Sequence, residues 1–193
     1  TNINDSAPVF STTAEFSALE NQLTITPDSV IATDPDGDSI FYQISGVDLK
    51  IDSDSGRLSF ITSPDYETRS QYSAVVRAGD GTFETELTII VQVEDVNESP
   101  KFSIGGVFSV PENTKFVGNL EAVDPEGDEI SYTVNNSLFT VTNSGILLFN
   151  SLPDYEVQDQ FSISISVSDG KLSSTKTIMV SVQDIKEHQL RNY

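Results

Sequence analysis

The chain repeats itself. Ala7-Pro8-Val9-Phe10 returns as Ser99-Pro100-Lys101-Phe102, Glu20-Asn21 as Glu112-Asn113, and Asp34-Pro35-Asp36-Gly37-Asp38 as Asp124-Pro125-Glu126-Gly127-Asp128. Pro64-Asp65-Tyr66-Glu67 recurs unchanged as Pro153-Asp154-Tyr155-Glu156, Asp80-Gly81 as Asp169-Gly170, and Asp95-Val96 as Asp184-Ile185. The spacing between copies shrinks steadily from 92 to 89 residues, as a few one-residue deletions would produce. Chance does not give such matches in one order, so the chain is two copies of one module, residues 1–98 and 99–193. The boundary falls at Val96-Asn97-Glu98-Ser99-Pro100, where Pro100 lacks an N–H for a sheet ladder and marks entry to a new strand. This linker is short and has no Gly/Ser tract. Two domains joined in this way still pivot unless something fixes the joint.

Within each copy the apolar residues recur with period two, the signature of half-buried strands. Tyr72, Ala74, Val76 and Ala78 alternate with small or polar neighbours, and Phe161, Ile163, Ile165 and Val167 repeat the row 89 residues later. Leu87, Ile89, Val91 and Val93 form a second row, matched by Ile178, Val180 and Val182. Ile40, Tyr42 and Ile44 correspond to Ile130, Tyr132 and Val134, while Ser55-Gly56 and Ser144-Gly145 punctuate hairpins. No segment carries a 3.6-residue stripe. About seven short strands in about 90 residues predict an all-β chain of two tandem seven-stranded Greek-key, immunoglobulin-like β-sandwiches.

Hydrophobic residues make up 37 % of the chain, enough for a core in each module. The 30 acidic residues outnumber the 10 basic ones, for a net charge of -20. That balance argues against nucleic acid and anionic membrane surfaces, which need clustered Lys and Arg, and invites a bound cation. With no cysteine, a disulfide framework and a thiolate metal site are both excluded. A metal is then the obvious staple for a secreted chain of this kind. No apolar run reaches the ~18 residues of a membrane span, and no signal peptide is visible.

The acids are not scattered. Of the 30, 19 lie in the recurring motifs, which solubilising surface charge would not explain. In a seven-stranded sandwich, alternate connections cluster at opposite poles. Glu20, Asp65, Glu67 and Asp95 are therefore expected at one pole of the first module, and Asp124, Glu126 and Asp169 at the pole of the second that faces them. Two unit charges ~5 Å apart repel by ~3 kcal/mol at an effective dielectric of ~20, a repulsion that a divalent cation reverses. Oxygen ligands without His or Cys select a hard ion, and irregular loop-borne cages favour Ca²⁺ over octahedral Mg²⁺.

The order Glu-Asn, Asp-Pro-Asp, Asp-Tyr-Glu, Asp-Gly, then Asp-Val-Asn-Glu-Ser-Pro-Lys-Phe closely resembles the cadherin repeat, across nearly the whole chain. The resemblance implies three Ca²⁺ at a complete junction. Two would be shared by Glu20, Asp65, Glu67, Asp95, Glu98 and Glu126 with the Val96 carbonyl. The third would take Asn97, Asp124, Glu126, Asp169 and the Ser99 carbonyl. Glu98 and Glu126 stand where the family usually has Asp. Asp38 and Asp128, in their compact loops, are expected to replace a backbone ligand of the family's longer loop. At the start of the chain, Asn4 and Asp5 resemble a linker tail completing a site with Asp34, Asp36, Asp38 and Asp80, although Asn2 takes the place of an expected Asp. Near the end, Lys186 occupies the linker Asn position, followed by Glu187 and His188, so the last pole is expected to be incomplete.

Catalysis is not expected. The Asp-Tyr-Glu pairs recur as part of a repeat, which suits structural ligands better than glycosidase acids. The single histidine, in the terminal tail, has no scaffold for a triad. The Asp-Pro-Asp-Gly-Asp loop lacks the twelfth-position Glu and flanking helices of an EF-hand. The resemblance implies a Ca²⁺-dependent adhesive or surface-binding module, extracellular or at a cell surface. Its partners would be other cell-surface proteins, a second copy or a polysaccharide. A passive spacer carrying a distal domain is the alternative. Strand-swapping adhesion receptors use an anchoring Trp that this chain lacks, and the compact acidic loop without Cys looks more like the bacterial members.

Overall fold

Alternating burial builds the molecule strand by strand. The structure is a computed structural model describing residues 3–186, so Asn2, Glu187 and His188 lie outside the described residues. The chain divides into two compact units, Thr1–Val96 and Asn97–Tyr193, two residues before the boundary read from the sequence. Asn97 and Glu98 account for the difference, since they hydrogen-bond Asp169 and Glu126 of the second unit.

In the first unit the strands are β1 (Val9–Phe10), β2 (Glu15–Leu19), β3 (Thr24–Ser29), β4 (Ala32–Thr33), β5 (Phe41–Ile44), β6 (Leu49–Ile51), β7 (Arg57–Phe60), β8 (Gln71–Gly79) and β9 (Glu84–Glu94). One face of the sandwich runs β5-β8-β9-β2 and the other β3-β7-β6, with a single β2–β3 pairing, Ser17 to Thr26, joining them. A short β1–β4 pair stands apart. The nine segments amount to seven strands with two interruptions, between β1 and β2 and between β3 and β4. Pro27, which has no N–H to give a ladder, sits where the β3–β7 register shifts.

The second unit repeats this plan with β10 (Lys101–Phe102), β11 (Val107–Pro111), β12 (Phe116–Asn119), β13 (Ala122–Val123), β14 (Ser131–Val134), β15 (Phe139–Val141), β16 (Ile146–Phe149), β17 (Gln160–Ser168) and β18 (Ser173–Gln183). Its sheets are β11-β18-β17-β14 and β12-β16-β15, with a β10–β13 pair. Among the described residues there is no helix, and none that is long and apolar enough to cross a membrane.

Each unit closes over its own core. Ala74, Val76 and Ala78 of β8 and Ile89, Val91 and Val93 of β9 are buried with Phe16, Leu58 and Phe60. In the second unit Phe161, Ile163, Ile165 and Val167 of β17 meet Ile178, Val180 and Val182 of β18, around a Phe139, Phe149 and Phe161 cluster. Burying one such side chain contributes ~1.5–3 kcal/mol. That is why the two-residue period held where it was read.

In each unit a glycine extends the pairing of two strands of the same sheet, β3 with β7 and β12 with β16. Gly56, at φ 69°, gives its carbonyl to Val30 N–H at 2.9 Å, and Gly145, at φ 80°, does the same for Leu120 at 2.7 Å. An added Cβ would collide with the Val30 or Leu120 carbonyl oxygen. Gly56→Ala is therefore expected to cost about 2–3 kcal/mol, as left-handed strain and collision add. Gly81→Ala, also at positive φ but with open space around its Cβ, should cost about 1 kcal/mol. Urea unfolding of the two variants measures the difference, and equal losses would refute the close approach as the cause.

Candidate cation sites at the poles of the sandwiches

The β8–β9 hairpin separates the acids of the first unit into two groups. Asp80 follows β8, whereas Glu67 precedes it and Asp95 follows β9, so nine extended residues, about 30 Å, lie between the groups.

At the Asp80 pole, Asp34, Asp36 and Asp38 bring carboxylate oxygens within 4.8 Å of one another. The compact loop forms because Asp34 folds it around itself: its Oδ1 accepts the N–H groups of Asp36 (2.8 Å) and Asp38 (3.2 Å), and its carbonyl that of Gly37. Asp36 Oδ2 accepts the N–H groups of Asp5 (3.0 Å) and Ser6 (2.9 Å), fixing the N-terminal segment beside the loop. The backbone N–H of Phe83 is the main influence holding the Asp80 carboxyl below the ordinary aspartate range. Thr82 N–H and the Asn4 amide act in the same direction, against partial burial. Asn4 Oδ1, Asp34 Oδ2, Asp38 Oδ2 and Asp80 Oδ2 are all shielded from solvent without a hydrogen-bond donor. Buried acceptors nearly always find a donor, so four unsatisfied oxygens on three chain segments of this pole are suited to a cation.

At the other pole of this unit, Glu20, Glu67 and Asp95 each bring a carboxylate oxygen within 4.8 Å of the others. Glu20 is only 1 % exposed. It survives burial because Oε1 accepts Val96 N–H at 2.7 Å and Oε2 accepts Tyr66 N–H at 3.0 Å. Asp65 lies outside this group. Its Oδ1 instead accepts Thr68 N–H, capping the turn before β8.

The second unit rebuilds the first pole with different chemistry. Asp124, 4 % exposed, accepts Asp128 N–H through Oδ1 and leaves Oδ2 unpartnered. Glu126 accepts Glu98 N–H through Oε2 at 3.1 Å and leaves Oε1 unpartnered. Asn97 Nδ2 donates to Asp169 Oδ2 at 2.8 Å. This bond is the first cause of a lowered Asp169 pKa, followed by the Leu172 N–H. Lys171 Nζ donates to Asn97 Oδ1 at 2.8 Å and to Asp128 Oδ2 at 3.1 Å. The hydrogen bond and charge of Asp128 push the Lys171 pKa up. Ser99 is held by Ser174 through its hydroxyl, and Glu98 pairs with Lys101 at 3.4 Å.

The last pole gathers Glu112, Glu156 and Asp184 within 4.8 Å. Glu112 is as buried as Glu20 and accepts the N–H groups of Ile185 and Tyr155 in the same way. A backbone hydrogen bond lowers the Glu156 pKa, but burial and the neighbouring Glu112, Asp154 and Asp184 carboxylates outweigh it and raise the value overall. Lys171 was not singled out by sequence reasoning. The available signal was its alignment with Thr82, which puts one of only ten basic residues inside an acidic motif.

Comparison with known proteins agrees with this construction. A bacterial Ig-domain family model (Big_9) matches residues 97–181. Human Protocadherin Fat 4 is 33 % identical over 189 residues, covering 87 % of this chain and 4 % of that protein, so the chain spans a small part of its relative. The crystal structure of human Protocadherin-24 EC1-2 (Form II) superposes with a TM-score of 0.61 at 19 % identity, covering 93 % of this chain and all of that one. Drosophila N-cadherin EC1-4 gives 0.63 at 23 % identity, covering 93 % of this chain and 50 % of that one. The bacterial Ig and cadherin matches meet in one architecture, an Ig-like sandwich. The chain's homologues and structural neighbours are cadherin ectodomain repeats, and both its units have the Ig-like sandwich fold of those neighbours.

Proposed function

We propose that this chain is a calcium-dependent adhesion or surface-binding module of an extracellular protein, without catalytic function. The observation that supports it is the set of six solvent-shielded oxygens lacking a donor, on Asn4, Asp34, Asp38, Asp80, Asp124 and Glu126. Every one belongs to a motif residue, and among the described residues none is accompanied by a histidine or cysteine ligand. An oxygen-only set of this kind fits Ca²⁺. Asn4, Asp34, Asp36, Asp38 and Asp80 would hold an ion at the first pole. Glu20, Asp65, Glu67, Asp95 and the Val96 carbonyl, joined through the linker to Asn97, Glu98, Ser99, Asp124, Glu126, Asp128 and Asp169, would hold ions where the repeats are connected. Calcium would neutralise acids that otherwise repel and so stiffen the tandem.

The metal would act on recognition indirectly, by presenting a preorganised surface. A fold does not fix a function, so the partner requires experiment. The relatives favour a protein partner, either a second copy or another surface protein. Self-association by analytical ultracentrifugation, and binding to surface proteins and a polysaccharide panel, should be measured in Ca²⁺ and in chelator. Binding in Ca²⁺ that is lost in chelator and in Asp95→Ala supports the reading. Failure of every partner in saturating Ca²⁺, with small-angle scattering still showing stiffening, would leave the passive-spacer reading in its place.

A further inference from the structure

The two first poles are built from corresponding loops, with Glu126 in place of Asp36, and they carry different residues after the Asp-Gly motif, Thr82 in the first unit and Lys171 in the second. In the first unit the hydroxyl of Thr82 accepts from the Asn4 amide at 3.5 Å. In the second unit Lys171 holds the corresponding position, and Nζ lies on Asn97 Oδ1 and Asp128 Oδ2. Their counterparts, Asn4 Oδ1 and Asp38 Oδ2, are unpartnered, as is Asp80 Oδ2, whose counterpart on Asp169 accepts from Asn97. Of the four orphaned positions in the first unit, only the Asp124 oxygen remains so in the second.

We infer that Lys171 is a tethered cation that competes with a divalent ion for the Asn97–Asp128 side of this pole, so that the second unit binds its ion there more weakly than the first. The inference rests on the calcium reading above. An ammonium within 3.1 Å of both oxygens repels a divalent ion at the same place. The lysine side chain is 66 % exposed, so it has room to swing into solvent when displaced, and competition rather than permanent blockade follows. The turn that carries it does not depend on the ammonium. The N–H groups of residues 171 and 172 bind Asp169 Oδ1 as those of Thr82 and Phe83 bind Asp80 Oδ1.

The test is calorimetric titration of Ca²⁺ into the full chain as wild type, Lys171→Thr, Lys171→Met and Thr82→Lys. Lys171→Thr and Lys171→Met should tighten the weakest binding step by about tenfold, the size expected for no longer displacing a solvent-exposed ammonium from two oxygens. Thr82→Lys should weaken a step at the first pole by a similar factor. In chelator both Lys171 variants should melt below wild type, because the tethered charge that offsets the acids is gone. Unchanged isotherms in both Lys171 variants, with wild type binding Ca²⁺ normally, overturn the inference alone. An absence of binding in all four proteins overturns the calcium reading and this inference with it.

Discussion

Saturating Ca²⁺ is expected to raise the melting temperature of this chain by about 10 °C or more, and equal Mg²⁺ by much less. A site held at ~100 times its dissociation constant adds ~2.7 kcal/mol to the folded state, and 1 kcal/mol moves a domain of this size by ~4–8 °C. The gain arises because the unfolded chain disperses the acids that folding gathers at the poles. Asp95→Ala should remove much of the shift. Asp28→Ala should leave it intact, since Asp28 makes only an exposed 3.5 Å pair with Arg57. Differential scanning calorimetry with Ca²⁺, Mg²⁺ and chelator measures all three responses. Identical melting in Ca²⁺ and chelator, or identical responses of the two variants, would sink the ligand assignment.

Glu20→Ala should cost about 3–5 kcal/mol in chelator as well as in Ca²⁺, because it removes two hydrogen bonds to a charged acceptor. Glu20 Oε1 and Oε2 hold the Val96 and Tyr66 N–H groups, tying the end of β9 to the turn before β8. Glu20→Gln is the sharper probe. The amide fills the same volume but presents its –NH₂ to one of those donors, so one backbone N–H loses its partner. A loss of about 1–3 kcal/mol is expected. Glu112→Gln should reproduce it in the second unit through Tyr155 and Ile185. Denaturant unfolding in chelator checks both. A loss confined to Ca²⁺-containing buffer would mean that these glutamates serve only as ligands.

These two glutamates show where sequence reasoning stopped. Glu20 was read as a ligand from its recurrence as Glu112, and the structure adds that each is a buried clamp on two backbone N–H groups. Asp65 was read the same way, and the structure adds that its Oδ1 caps the turn at Thr68, a local bond that an Asp three residues before an N–H makes readily.

The alternation of Ala74, Val76 and Ala78 against Ile89, Val91 and Val93 was legible because a strand exposes one face per residue. The period therefore names the core without knowledge of any partner strand. The duplication was legible for a similar reason: the two copies fold by the same local rules and so keep the same residues in the same order. The acids pointed to a hard cation by chemistry alone. Which oxygens remain without a donor could not be read this way. That depends on Asn97 reaching Asp169, Lys171 reaching Asn97, and Glu20 reaching Val96, contacts between residues 72 to 76 positions apart. Periodicity along a chain carries no information about such distances. Only sheet closure brings those loops together, and with them the Lys171 ammonium that sets the second pole apart from the first.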